Sequence, residues 1–397
     1  MRIAFVYDAI YPWVSGGAER RFHELGRRLS DRHEVHFVGW QWWHGPARIR
    51  QDEMTLHGVG RAPGLYGDDG KRTVREAVAF SARVLPVLLR NRWDVIDCSA
   101  TPYLPLYTTW LGARLTGTPL VATWHEFWGV HWNGYLPHRP VVAGAARRLE
   151  SAARRLGDRV VAVSAFTAGA MGMADDPRLE VVPNGVGLSQ LTEAAAAAPE
   201  ETTELLFVGR LIDEKRVDLL LEAVRLLADR YPTLRCSIVG DGPQLPSLRS
   251  LAAELGIGGR VRFHGKVESA EVPRHLRAAS ILVMPSVREG YGMVVAEAQA
   301  AGAVPVVVRS PFSAAPDLVR DGIDGLVVEA TAHSIAEAIA CLLADETRLA
   351  ELSAAATLAG AGADRDWDHL ATQMEHIYRG QVADGPAARA VRRLRWS

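Results

Sequence analysis

Cysteine is scarce: Cys98, Cys236 and Cys341 are the only three in 397 residues, far apart and without metal-ligand spacing. That excludes a disulfide scaffold and a zinc module and suits a reducing, cytoplasmic compartment. Charge of one sign is also lacking. Lys plus Arg number 45 and Asp plus Glu 46, a formal net charge of −1. The bulk electrostatic signature of a dedicated nucleic-acid binder is therefore missing, and any basic surface must be local. Long apolar runs are missing too, because Arg, Glu, Asp or Gly breaks even the richest segments well short of the ~20 residues a membrane span needs. The opening run Met1 to Tyr7 stops at Asp8, too short for a signal-peptide core followed by a cleavage site, and reads as a first strand. A soluble chain, at most peripheral to a membrane, is expected.

What is present is alternation. Short apolar runs near Ile3–Tyr7, Glu34–Val38, Val95–Asp97, Leu120–Thr123, Val160–Val163 and Glu180–Val182 are separated by helical patterns such as Ala18–Leu29 and Val74–Leu89. This is the signature of parallel strands joined by crossover helices, an α/β class of doubly wound, Rossmann-like sheets. The pattern restarts with Glu204–Val208, Arg235–Val239, Val261–Phe263, Ile281–Met284, Val304–Val307 and Gly325–Val328. Between the halves lies a low-complexity piece with Ala194–Ala198 and Pro199 and no obvious amphipathic face. The expected organisation is a first domain over 1–187, a linker over 188–203, a second domain over 204–365, and a final helix with a basic tail over 366–397. Two such domains facing a central cleft would suit a reaction between two substrates.

Two clusters carry chemistry. In Phe207-Val208-Gly209-Arg210-Leu211-Ile212-Asp213-Glu214-Lys215 a strand ends at Gly209, and Arg210 and Lys215 follow on the loop and first helical turn. Two cations near a helix N-terminus would hold a diphosphate alongside free backbone N–H groups; a solvated loop with a chance basic pair is the other reading. In Pro285 to Ala298 a strand end is followed by a glycine-bearing loop and a helix starting near Met293, so the amides of Gly292 to Val294 could face an anion or sugar hydroxyls. Glu289 and Glu297 flank this turn. Carboxylates accept well from paired hydroxyls, so the two could read different parts of one nucleotide sugar; Glu297 taken singly reads as a solvated helix charge.

Arg210 with Lys215, the pair Glu289 and Glu297, the turn Gly240-Asp241-Gly242-Pro243, Pro183-Asn184-Gly185-Val186 and the first loop Ser15-Gly16-Gly17-Ala18-Glu19 together resemble the retaining GT-B glycosyltransferases of family 4 over nearly the whole chain. The resemblance implies that Arg210 and Lys215 bind the donor diphosphate and stabilise the leaving group. It implies that Glu297 grips the nucleotide ribose and that Glu289 contacts the donor sugar beside Gly290, Tyr291, Gly292, Met293 and Val294. Gly16 and Gly17 match the loop that closes over the donor phosphates; alone they read as an ordinary strand-to-helix turn. His125, in Thr123-Trp124-His125-Glu126 at a strand end, matches the family's cleft histidine, which would hydrogen-bond the transferred sugar or organise the acceptor. Lys266 and Val267, after a strand, are expected near the base of a UDP- or GDP-sugar. No metal and no separate cofactor is expected if the two cations neutralise the diphosphate, and no DxD-type carboxylate pair is placed to hold a metal.

The sequence departs from the family twice. Arg309-Ser310-Pro311-Phe312-Ser313-Ala314-Ala315-Pro316-Asp317 replaces a Gly-Gly-Pro-Glu-type turn, and Arg216 stands where glycine often follows the lysine. Nine of 11 tryptophans precede Gly134, which points to a first domain that receives the acceptor. Trp124, Trp128 and Trp132, with Trp40, Trp42 and Trp43, follow strand ends where rings could stack on a sugar or lipid; core packing explains some of them. Arg139 to Arg159 and the tail Arg389 to Trp396 are basic. They read as solvated helix faces and a frayed tail, or as contacts with the anionic inner face of a membrane holding a lipid-linked acceptor.

The expected activity is retaining transfer of a hexose-type sugar from a nucleotide-diphosphate sugar to a hydroxyl acceptor on a glycan, lipid-linked or small molecule. A GT-B-fold nucleotide-sugar 2-epimerase and a non-catalytic nucleotide-sugar-binding protein stand as alternatives. A nicotinamide-dependent oxidoreductase would need a Gly-x-Gly-x-x-Gly turn after the first strand, and Val14-Ser15-Gly16-Gly17-Ala18-Glu19 does not supply one.

Overall fold

The computed structural model describes residues 1–64, 73–136, 138–196 and 202–384. The chain divides into two compact units, one of Met1–Asn184 resumed at Trp367, the other of Gly185–Asp366. In the first, strands β1 (Arg2–Val6), β2 (Glu34–Gln41), β3 (Arg48–Gln51), β4 (Met54–Arg61), β5 (Val95–Ser99), β6 (Leu120–Trp124), β7 (Arg159–Ala162) and β8 (Leu179–Val181) form one sheet in the order β3-β4-β2-β1-β5-β6-β7-β8. Its helices are α1 (Gly17–Leu29), α2 (Val74–Arg90), α3 (Tyr103–Thr116), the short α4 (Trp132–Tyr135), α5 (Pro140–Ala153) and α6 (Ala165–Ala170). Every residue of β5 and β6 is buried, as expected for central parallel strands covered by helices on both faces.

Six strands were expected in this half and eight are found among the described residues. The addition is a hairpin: β3 runs antiparallel to β4, which pairs parallel with β2. The turn between them places Asp52 and Glu53 at φ 47° and 64°. Such turns are usually announced by Asn-Gly or Asp-Gly, and Asp-Glu gives no such signal.

The second unit carries α7 (Leu188–Ala196), β9 (Thr203–Val208), α8 (Val217–Leu227), β10 (Cys236–Val239), α9 (Leu245–Glu254), β11 (Val261–Gly265), α10 (Val272–Ala278), β12 (Ala279–Met284), α11 (Met293–Ala301), β13 (Val304–Val308), β14 (Leu326–Val328), α12 (Ala332–Ala344) and α13 (Glu346–Gly360). Its six strands are all parallel, in the order β11-β10-β9-β12-β13-β14. One aliphatic core runs through it, with Leu205, Phe207, Leu220, Ile238, Ile281, Val283 and Val306 inaccessible to solvent.

The low-complexity piece expected as a linker is therefore not one throughout. Its first part is the helix α7, which packs against α10 and buries Leu191; alanine is the best helix former, so a run of it suits a helix as well as a spacer. Ala197–Ala198 and Pro199 lie outside the described residues.

The last described element, α14 (Trp367–Asp384), belongs to the first unit and packs on α1 and β5. Trp367, Met374 and Tyr378 are fully buried there. Tyr378 Oη donates to Asp97 Oδ2 at 2.5 Å, and Thr123 Oγ1 donates to Asp97 Oδ1 at 2.6 Å. Burial pushes the Asp97 carboxyl up to about 6 despite those donors. Arg21, inaccessible in α1, donates to the Pro183 carbonyl at 2.6 Å and to Asn184 Oδ1 at 3.1 Å, fixing the chain where it leaves this unit.

Candidate active site

In the second sheet, β9 has β10 on one side and β12 on the other. Chain connections leave β9 in one direction and return on the other at β12. The carboxyl ends of these two neighbours thus frame a topological switch point, where open α/β sheets bind ligands. The loop after β9 carries Arg210 and Lys215, and the loop after β12 carries Glu289. Lys215 lies not on the first turn of α8, as expected, but on a 3₁₀ turn, Asp213–Lys215, that ends before it. Lys215 Nζ and Glu289 Oε1 form a close ion pair with side chains 18% and 13% exposed. The two loops are also joined through backbone, Val287 N–H donating to the Glu214 carbonyl at 3.0 Å.

The residue between the 3₁₀ turn and α8 is Arg216, in the left-handed region at φ 49° and ψ 43°. That conformation accounts for glycine at this place in the family. Arg216 binds both oxygens of Asp218, with Nε at 3.0 and 3.1 Å and Nη2 at 2.8 Å.

The turn after β10 backs the cationic loop. Leu211 N–H donates to the Asp241 carbonyl at 3.0 Å, and Gln244 N–H donates to the Leu211 carbonyl at 3.1 Å. A Cβ on Gly240 would overlap the Gly209 carbonyl, and one on Gly242 the Leu211 carbonyl. The sequence motif Gly240-Asp241-Gly242-Pro243 is explained by this close approach.

The segment departing from the family holds the Glu289 loop. Glu289 and Ser313 form a β-bridge, Ala314 N–H donates to the Glu289 carbonyl at 2.9 Å, and Ser310 Oγ donates to the Val287 carbonyl at 2.5 Å. Gly290 follows this bridge. Gly292, at φ 97°, then caps α11 before Met293 and Val294, with Ala315 beside it; Tyr291 is buried. Glu297 differs from a solvated early-turn charge. It is the fifth residue of α11 and only 4% exposed, and such burial requires polar compensation rather than water. Lys266 and Val267 follow β11, Lys266 exposed and Val267 packed on the core.

In the first unit, Gly16 caps α1 in an extended conformation and Gly17 opens the helix. His125 directly follows β6, its ring packed near Tyr7 and Phe22 at centroid distances of 6.4 and 5.7 Å. Both ring nitrogens are buried and neither has a hydrogen-bond partner within the protein. Burial, helped by the charge of Arg21, pushes the imidazole down to about 3, so it is neutral near pH 7, with one donor and one acceptor nitrogen. A buried polar group left unmet in this way costs about 1–3 kcal/mol.

The tryptophans divide. Trp124 is fully buried between Tyr103 and Phe127, and Trp40 and Trp43 are in the core. Stacking on an acceptor, expected of these three, is not available to them, because their rings are packed within the protein, Trp40 on Phe80 of α2 and Trp43 on Trp13. Trp128 and Trp132 are half-buried and stacked with centroids 5.1 Å apart, and Trp42 is half-buried with its Nε1 donating to the Asp8 carbonyl at 3.0 Å. Sequence reasoning missed the residue that holds the tryptophan loop. Glu150 of α5, inaccessible to solvent, accepts from Trp128 N–H at 2.6 Å, Gly129 N–H at 2.8 Å, Trp132 Nε1 at 3.1 Å and Tyr103 Oη. Burial raises its carboxyl, with those donors opposing. A lone acid amid the arginines of α5 was the available signal. The basic tail Arg389 to Trp396 lies outside the described residues.

A model of Glycosyltransferase Family 4 matches residues 15–190, and one of the glycosyl transferases group 1 matches residues 190–358. A D-inositol 3-phosphate glycosyltransferase of Streptomyces scabiei is 36% identical over 330 residues, 77% of this chain and 73% of that protein. A GDP-mannose-dependent α-(1-6)-phosphatidylinositol monomannoside mannosyltransferase of Mycobacterium tuberculosis is 33% identical over 254 residues, 59% of this chain and 65% of that one. Among solved structures, the sucrose-phosphate synthase of Thermosynechococcus elongatus superposes with a TM-score of 0.80 at 19% identity, covering 96% of this chain and 99% of the other. Anabaena HepE, solved with UDP and glucose, gives 0.73 at 20% identity over 96% and 100%. The chain belongs to the family 4 glycosyltransferases, and its two parallel-sheet units are those of the GT-B fold.

Proposed function

We propose that the protein transfers a hexose-type sugar from a UDP- or GDP-sugar to a hydroxyl acceptor with retention of anomeric configuration and without a divalent metal. The observation that carries this reading is the placement of Lys215 and Glu289, with Arg210, at the switch point of the second sheet. A primary ammonium has three donors. Bound to Glu289 through one, Lys215 keeps others for a diphosphate, and Glu289 stays near the sugar that the diphosphate carries. Arg210 and Lys215 would stabilise the negative charge that develops as the anomeric carbon–phosphate oxygen bond breaks. The acceptor oxygen bonds to that carbon on the same face, and its proton passes to the departing phosphate oxygen, so no side chain serves as nucleophile.

In this reading Glu297 receives the ribose hydroxyls, and Gly290 to Val294 and the Gly16-Gly17 turn approach the donor. Lys266 and Val267 lie beside the base. His125 pairs with the transferred sugar, satisfying its two open nitrogens, and Trp128 and Trp132 offer the acceptor a surface. The relatives' names include a GDP-mannose donor and acceptors built on phosphorylated inositol, which supports a hydroxyl acceptor of that kind.

Nucleoside diphosphates and their sugars should raise the melting temperature of the folded chain, since ligands that bind only the native state stabilise it. Release of nucleoside diphosphate in the presence of acceptor should fall about 100-fold or more in Lys215→Ala, with the melting temperature of the free protein nearly unchanged and turnover in wild type indifferent to chelator. Wild-type turnover in Lys215→Ala would sink the assignment.

A further inference from the structure

Backbone conformation does not explain the first glycine of the turn Ser15-Gly16-Gly17-Ala18-Glu19. Gly16 has φ −169° and ψ 176°, an extended backbone that any residue adopts. Space explains it. A Cβ on Gly16 would overlap Glu19 Oε2 and lie 3.3 Å from Glu19 Cδ. Glu19 is the third residue of α1, and its side chain folds back over the start of the helix, where an acid at this position is favoured. Its carboxyl fills the volume that a side chain at position 16 would need.

Glu19 is also buried, at 6% exposed, and a carboxyl so placed needs polar compensation. Tyr7 Oη supplies part of it, donating to Glu19 Oε1 at 3.3 Å. Tyr7 directly follows β1 and packs its ring against Phe22 at a centroid distance of 5.9 Å. Both rings are neighbours of His125, whose nitrogens make no hydrogen bond among the described residues. Packing rather than hydrogen bonding within the protein therefore aims the imidazole. One carboxyl braces the Gly16-Gly17 turn on one side and, through the Tyr7 hydroxyl, the aromatic wall of His125 on the other.

We propose that Glu19 is a positioning residue for sugar transfer. Buried, it touches no reacting atom; it sets where the Gly16-Gly17 turn and the His125 imidazole stand when the donor binds. The inference rests on the reading above, in which that turn and His125 face the donor. A misplacement of about 1 Å can cost an enzyme about 100-fold in rate, so a side chain that fixes two such groups acts on turnover more than on affinity. A helix cap and nothing more would act on stability alone.

Release of nucleoside diphosphate from UDP-glucose and from GDP-mannose separates the two roles. Glu19→Ala should lower kcat about tenfold or more, with KM for the donor within about threefold of wild type. Glu19→Gln keeps the length and an acceptor for Tyr7, and should bring kcat back to within about threefold of wild type. Tyr7→Phe should lower kcat in the same direction, and adding it to Glu19→Ala should cost little more, because the two side chains act along one path. Should Glu19→Ala fail to fold, Tyr7→Phe carries the kinetic comparison. In urea melts, which need no substrate, Gly16→Ala should lower the midpoint of the wild type and lower that of Glu19→Ala much less, the overlapping oxygen being gone. Unchanged kcat in Glu19→Ala and Tyr7→Phe, a Glu19→Gln variant as slow as Glu19→Ala, or a Gly16→Ala cost equal in both backgrounds would each overturn the proposal. Wild-type release in Lys215→Ala would instead count against the donor reading on which it stands, whatever Glu19 does.

Discussion

Arg216 sits in a backbone conformation that costs a residue with a Cβ about 1–2 kcal/mol. Its ion pair with Asp218 is only partly shielded, both side chains being 37% exposed, and such pairs return about 0.2–1 kcal/mol. Strain should win. Arg216→Gly is expected to stabilise the protein by about 0.5–1 kcal/mol, read as a higher urea midpoint at unchanged slope, and Arg216→Ala, which keeps the strain and loses the pair, to destabilise it. At this scale the sequence was legible where position along the chain fixes chemistry. Lys215, Glu289 and His125 all follow strand ends, and parallel strands bring such ends together within each sheet. Burial was not legible where it depends on what covers a residue. Trp124 and Glu297 occupy expected elements, yet the layers packed on β6 and α11 decide that the first is core and the second no solvated charge.

Two elements show how far local signals reach. The hairpin of β3 and β4 is not legible in the sequence because its turn is made by Asp52 and Glu53 rather than by glycine or asparagine, and because Gly58 and Gly60 thin the strand pattern of β4. The turn after β10 was legible as a motif but not as a support. Its glycines let backbone touch backbone, so Gly242→Ala must displace either the turn or the cationic loop at Leu211. Overpacking of this kind costs about 1–3 kcal/mol. Because the displaced loop carries Arg210 and Lys215, affinity for a nucleoside diphosphate should drop about tenfold or more in titration calorimetry, a larger relative loss than the shift in melting temperature. Unchanged affinity would mean that the turn does not set the loop's position.

At the scale of the whole molecule the two units differ in how they are written. The second is continuous from Gly185 to Asp366, whereas the first needs α14 from the far end of the chain. That helix buries Trp367, Leu370, Met374, Ile377 and Tyr378, each contributing roughly 1.5–3 kcal/mol. Their sum is comparable with the whole stability of an ordinary domain, about 5–15 kcal/mol. Residues 185–366 alone should therefore melt cooperatively with dispersed amide resonances, and residues 1–184 alone should not. A cooperative transition in the shorter N-terminal fragment would show that α14 is an accessory to the first sheet.

The returning helix also orders events in time. Translation runs from the N-terminus, and domains commonly fold in that order as they emerge. Here the first sheet leaves the ribosome early but lacks one of the two donors to Asp97 and the cover for α1 until Tyr378 has been added. The second sheet is complete before that. On that order the second sheet can close before the first, whose cover arrives only with α14.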